Sequence, residues 1–264
     1  MRIRQILQPN KTLLADMRVA ASIVTDVLIE LTRLTAPDVS LGMLDELAER
    51  MIVERGGRPY NKGYQPDWAI EPYPATICAA VNHEICHAPP GNRLLRDGDI
   101  VTYDLGVKYG IGCGDAAITV AVGNISNRKQ RAMRYGLQVL MEGIKKIKAG
   151  AYVCDVSRAI ENFSTKNGYA VIGEFAGHHI GREMHEKPDI PNVVNEEYSS
   201  SDILEEGGVI CIEPMITPGN GRVALSSDKW TAFCPDGQPV VMFEHQILVT
   251  AEGSEILTKH LPKQ

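Results

Sequence analysis

The chain has 264 residues, a formal net charge of −6, 44% hydrophobic and 23% charged residues. That balance excludes disorder as the main state, since there is enough apolar material to bury a core. No run of about 18 apolar residues offers a spanning helix. Basic residues gather only in short pieces such as 127–131 and 145–150, which argues against a nucleic-acid surface.

Residues 12–33 place Leu13, Met17, Ala20, Val24, Val27 and Leu31 at spacings of three and four, one apolar face of a helix. Ser40 precedes a second helical pattern that ends at Gly56-Gly57, a capping arrangement at both ends. Residues 58–75, rich in Pro, Tyr and Gly, read as irregular loop. Strand-like segments follow around 76–82, 99–110 and 112–124, rich in β-branched residues and bounded by turn signals. A second helical pair is expected at 127–148 and 153–167, then a second strand-rich region at 207–219 and 229–253.

The order is thus helix pair, strands, helix pair, strands. Residues 94–106 and 203–215 look alike, each placing a carboxylate on a strand after an acidic-Gly turn. The pattern predicts one α+β domain over 1–264, with pseudo-repeats at about 12–123 and 127–252. The cysteines Cys78, Cys86, Cys113, Cys154, Cys211 and Cys234 form no C-x-x-C pair and are read as reduced thiols. The N-terminal stretch has no apolar run ending in a small-residue cleavage site, so a cytoplasmic location is expected, with no membrane partner.

Four carboxylates interrupt apolar strand patterns: Asp104, Asp115, Glu213 and Glu244. A carboxylate so placed must be exposed at a strand end, paired, or bound to a metal. Any one of them alone reads most simply as solvent-facing. Four, in four strands, point to convergence on a cation, because like charges gather only where a cation holds them. His178, in a glycine-flanked segment with His185 seven residues on, and His87 add imidazoles. Nitrogen and oxygen donors suit a divalent first-row ion, and four carboxylates with one histidine suit two ions sharing bridging ligands.

The spacing of Asp104 and Asp115, the segment G-H-x-I-G-R-x-x-H-E-x-P at 177–188, I-E-P-M at 212–215 and F-E-H at 243–245 resemble methionine aminopeptidases of the bacterial type I class. The resemblance runs from the first helix to the segment E-I-L-T at 255–258. It implies the pita-bread fold: two pseudo-two-fold related halves, with a mixed or antiparallel curved sheet covered by two helix pairs. It implies two divalent ions (Co, Mn, Fe or Zn), with Asp104 a ligand of one, Asp115 and Glu244 bridging, and His178 and Glu213 completing the other. It implies hydrolytic removal of initiator methionine from nascent polypeptides whose second residue is small, by a metal-bridged hydroxide attacking the first peptide carbonyl. Glu213 resembles the proton shuttle, His185 the histidine at the scissile carbonyl, and His87 the histidine at the scissile amide.

By family position Tyr73, Cys78, Met184, Met215 and Trp230 line the methionine pocket. Met184 stands where the family commonly has Phe, and Ile70 where it commonly has Tyr. Ala88 and His179 replace common glycines, and the His179 side chain is expected to point outward. A monomer and an association with the ribosome are further expectations from the resemblance. Two other readings share the fold. A proline-specific peptidase is disfavoured by the 177–188 context, and a non-enzymatic scaffold by the retention of every ligand.

Overall fold

The computed structural model describes residues 9–194, 202–259 and 261. The first half contains α1 (Lys11–Leu34), α2 (Leu41–Glu54), β1 (Arg58–Pro59), β2 (Cys78–Val81), β3 (Glu84–Cys86), β4 (Ile100–Tyr109) and β5 (Gly112–Ala121). The second contains α3 (Asn127–Ile144), α4 (Val153–Lys166), β6 (Ala170–Val171), β7 (Ala176–His179), β8 (Glu186–Pro191), β9 (Val209–Ile212) and β10 (Met215–Thr217). It continues with β11 (Ala224–Leu225), β12 (Ala232–Phe233), β13 (Val241–Met242), β14 (His245–Val249) and β15 (Ser254–Ile256).

The strands hydrogen-bond as four sets: β1-β4-β2 with β5 on β4, β15-β14-β9-β7-β8, β13-β10-β6 and β11-β12-β3. The pairings among these strands are antiparallel. The two helix pairs share one core with these strands, running from Val24 and Leu28 through Tyr103 and Ile118 to Leu140, Ile160 and Ile247.

The first helix buries the expected face and more: Ala21, Ile23 and Leu28 are buried as well. Its N-terminus is capped by Asn10 Oδ1, which accepts from Leu13 N at 2.9 Å. Ser40 stands at the N-cap of α2 but makes no side-chain cap bond; its residue bridges to Leu94 instead. Helix α3 stops at Ile144 rather than 148, because the chain tightens into turns with Lys146 N on Gly143 O and Ile147 N on Ile144 O, both 3.0 Å.

Glycine governs one close approach that sets the site. A Cβ on Gly114 would stand 2.5 Å from the backbone of Ala20 and Ala21. Helix α1 therefore lies directly on β5, and the next residue along that strand is Asp115. No helix of the described residues is long and apolar enough to cross a membrane, and all six cysteines are free.

Candidate active site

Asp104 and Asp115 face the same side of the β4–β5 hairpin. Asp104 pairs with Ala117 and Asp115 with Gly106, so the two carboxylates sit diagonally across the ladder. The second half is laced to β5 at alternate residues. Thr119 Oγ1 donates to Met242 O and accepts from Met242 N, Glu244 N donates to Ala117 O at 2.9 Å, and Gln246 Nε2 donates to Cys113 O at 3.1 Å. That lacing brings Glu244 beside Asp115. On β7, His178 pairs with Cys211 of β9, and Glu213, just past the end of that strand, lines the same cavity. Gly177 allows this, since a Cβ there would meet Cys211 O at 2.2 Å.

The five side chains converge on one cavity of about 290 Å³. His178 Nδ1 lies 3.1 Å from its neighbour's carbonyl, His179 O. Its Nε2 faces Asp115 Oδ2 at 3.6 Å and Glu213 Oε1 at 3.7 Å, longer than hydrogen bonds. Glu244 Oε1 is buried without a hydrogen-bond partner. Among the described residues no Lys or Arg lines the cavity. Burial pushes the Asp104 carboxyl up to about 7. Burial, reinforced by the neighbouring carboxylates, holds Asp115, Glu213 and Glu244 well above the usual range. His178 is pushed down to about 3 by burial and by His185 beside it, so its imidazole is neutral and free to donate a lone pair.

Buried carboxylates that raise one another's proton affinity, an orphaned carboxylate oxygen and a neutral imidazole together fit a divalent cation. Cys211 belongs to the same cluster: donor atoms of Asp115, His178, Cys211 and Glu244 all lie within 4.8 Å of one another. Sequence reading missed this residue, although the i, i+2 spacing of Cys211 and Glu213 in an apolar strand-like run signals a shared face. Burial first, then the carboxylates, raise its thiol well above its ordinary pKa, so it stands there neutral.

The histidines expected at the scissile bond flank the cluster. The His185 ring lies 4.5 Å from that of His178, and His185 Nδ1 is 3.4 Å from Tyr64 Oη. His87 holds a left-handed backbone conformation (φ 54°) and packs its ring between Trp68 and Phe175. Burial pushes His87 down to about 4.

Tyr73, Cys78 and Trp230 form an apolar wall, with the Tyr73 and Trp230 rings edge-on at 5.0 Å. Helix α2 reaches this wall through Asp45, whose Oδ1 accepts from Thr76 N and Ile77 N at 2.9 Å. Met184 closes another side of the cavity. Met215 does not line it. It turns into a neighbouring core with Cys86, Ala117 and Met242, because β10 pairs Met215 with Met242. Ile70 is 78% exposed and does not line the cavity, whereas Tyr64 does. It lies on an excursion at 65–72 that carries it to solvent. Tyr60, Asn61, Pro66 and Trp68 also line the cavity and went unread, hidden in the same irregular stretch.

Ala88 is fully buried, and its carbonyl accepts from Ala79 N. His179 faces away from His178, as strand alternation requires, but it is only 3% exposed. The expected outward side chain is thus a buried one, with Nδ1 2.8 Å from Pro188 O.

The model of metallopeptidase family M24 matches residues 15–251. The chain belongs to metallopeptidase family M24. Methionine aminopeptidase 1 of Bacillus subtilis is 35% identical over 246 residues, 93% of this chain and 96% of that one. Methionine aminopeptidase of Aquifex aeolicus is 34% identical, covering 92% and 95%. The crystal structure of methionine aminopeptidase from Thermotoga maritima superposes with a TM-score of 0.91 at 34% identity, covering 97% of this chain and all of that one. Xaa-Pro dipeptidase from Bacillus anthracis has a TM-score of 0.74 at 24% identity, and the chain covers 63% of it; that likeness shows the fold alone. The pita-bread fold expected from the sequence is therefore the fold of this M24 chain. Within the family it groups with the methionine aminopeptidases, as metal-dependent peptidases.

Proposed function

We propose that this chain removes methionine from polypeptide N-termini, using two divalent ions held by Asp104, Asp115, His178, Glu213 and Glu244. The observation that carries the reading is the meeting of these five ligand-type side chains at the base of an aromatic- and Met-walled cavity. Two lie in residues 12–123 and three in 127–252, so we read the site as the junction of two halves of one catalytic domain. The hard, carboxylate-rich donor set suits Co, Mn, Fe or Zn. Divalent ions bound there supply Lewis-acid activation of water and of the scissile carbonyl.

The residues divide the remaining work. Tyr73, Cys78, Met184 and Trp230 enclose the methionine side chain, a narrow apolar slot suited to a polarizable thioether. Tyr64 Oη lies 3.4 Å from His185 Nδ1; in the tautomer protonated at Nε2, with Nδ1 accepting from Tyr64, the His185 Nε2–H donates to the carbonyl oxygen as negative charge develops there. Glu213 takes a proton at Oε1 from the attacking water and returns it to the leaving amine. His87, neutral at pH 7 and fixed between two rings, contacts the scissile amide.

The test is to incubate metal-reconstituted protein with Met-Ala-Ser, Met-Lys-Ser and Gly-Pro peptides and follow free methionine and free glycine by mass spectrometry. Release from Met-Ala-Ser alone is expected. Preference for the Gly-Pro peptide would put a proline-specific peptidase in its place, and no release with any divalent ion would refute the enzyme reading.

A further inference from the structure

Residues 65–72 leave the chain as a closed excursion. At its base Gly63 N donates to Tyr73 O and Tyr73 N donates to Tyr64 O, both at 2.8 Å. Within it Ala69 N donates to Pro66 O at 2.9 Å, while Gln65 Nε2 donates to Ala69 O and Ile70 O at 3.2 and 3.1 Å. The excursion is shaped by its own hydrogen bonds and carries Trp68 to the cavity rim. The indole there is 58% exposed, so part of its ring surface is open to solvent at the cavity rim.

Trp68 is held on two sides. Its ring stands edge-on to Trp230 with centroids 5.1 Å apart, and lies nearly parallel to His87 at 6.4 Å and 28°. One contact is with the wall of the methionine pocket. The other is with the histidine beside the scissile amide. Trp68 thus extends the methionine wall outward, past the bond to be cut, and presents its remaining surface to solvent.

We propose that Trp68 is the recognition platform for the third residue of the substrate, favouring an aromatic or other large apolar side chain there. The inference rests on the methionyl-peptide reading above. In an extended peptide the side chains of residues one and three point to the same side, roughly 7 Å apart, while residue two points to the other. With methionine against Trp230, the third side chain falls on the next element of the same wall, which is Trp68. The second side chain points away from it, so the platform acts independently of any rule for a small second residue.

An aromatic contact of this kind is worth about threefold to tenfold in affinity. The experiment compares wild type, Trp68→Ala and Trp68→Phe on Met-Ala-Phe-Ser and Met-Ala-Gly-Ser. It measures kcat and KM with the metal-loaded protein, and equilibrium binding of the same peptides to metal-free protein by calorimetry. Wild type is expected to prefer Phe at the third position through KM. Trp68→Ala should lower that preference about threefold to tenfold in both cleavage and binding, and Trp68→Phe should retain most of it. An equal preference in wild type and Trp68→Ala would overturn the proposal. If wild type released no methionine from either peptide, the aminopeptidase reading would fall, and the binding comparison would still decide the role of Trp68.

Discussion

Gly106 lies opposite Asp115 on the β4–β5 hairpin, and a Cβ there would meet Met184 Cε at 2.0 Å and Met184 Sδ at 3.2 Å. Gly106→Ala must therefore move the end of Met184, which lines the active-site cavity. Overpacking a fitted interior costs about 1–3 kcal/mol, and a thioether with three rotatable bonds yields easily, so the lower end applies. About 1 kcal/mol expressed in substrate binding is roughly a fivefold rise in KM. The assay is steady-state release of methionine from Met-Ala-Ser by Gly106→Ala, made alone and on a Met184→Ala background. The added methyl has room once Met184 is shortened, so its effect should shrink to within about twofold there. The same loss in both backgrounds would refute the reasoning, because the disturbance would then travel through Asp115 rather than through Met184.

Four further outcomes follow from the same geometry. Gly177→Ala drives a Cβ against Cys211 O at 2.2 Å, backbone on backbone; it should cost about 3 kcal/mol and lower Tm by roughly 6 °C or more, and a shift under about 2 °C would contradict that close approach. His178→Ala should abolish methionine release and reduce the metal bound per chain, measured by calorimetric titration; near-normal turnover would remove the residue from the site. Asp228 fixes the start of the Trp230 wall by accepting from Trp230 N and Thr231 N at 2.9 Å, so Asp228→Ala should raise KM about threefold, and an unchanged KM would show that the wall stands without it. In metal-free protein the Asp104 carboxyl, at about 7 when folded, lies above its unfolded value of about 4. A raised carboxyl contributes stability that is full below about pH 4 and lost as pH rises through about 7. The buried histidines act in the opposite sense, but only below about pH 6.5, where their unfolded forms take up protons. The Tm of metal-free protein should therefore fall between about pH 6.5 and 8, and addition of Mn or Co should reverse the fall. A rising Tm across that window would contradict the carboxylate cluster.

The ligand-type residues were legible because chemistry leaves a mark on pattern. Asp104, Asp115, Glu213 and Glu244 each interrupt an apolar run, the first two within β4 and β5, and Glu213 and Glu244 in the gaps between β9 and β10 and between β13 and β14 rather than in strands as expected; a compensating charge explains four such breaks. The helices were legible through their period, since α1 and α4 each bury one face. The pocket was less legible. Aromatic and Met side chains serve cores and pockets alike, so nothing in the local sequence separates Met184, on the cavity, from Met215, in the core behind it. Register decides between them, through the pairing of Met215 with Met242.

The sequence by itself determined the element order, the donor chemistry and the family, because these depend on residue type and spacing along one chain. Tertiary structure alone decided which side chains meet. Ile70 stays out of the cavity because an excursion closed by backbone bonds between 63–64 and 73 leaves it exposed. Cys211 joined the cluster because β7 and β9 pair His178 with it. His179 became a buried side chain because the strand that presents His178 to the cavity turns its neighbour into the protein. The strand cases depend on contacts between segments far apart in the chain, set by how the sheets pair and pack, and the loop case on backbone bonds that no residue pattern announces.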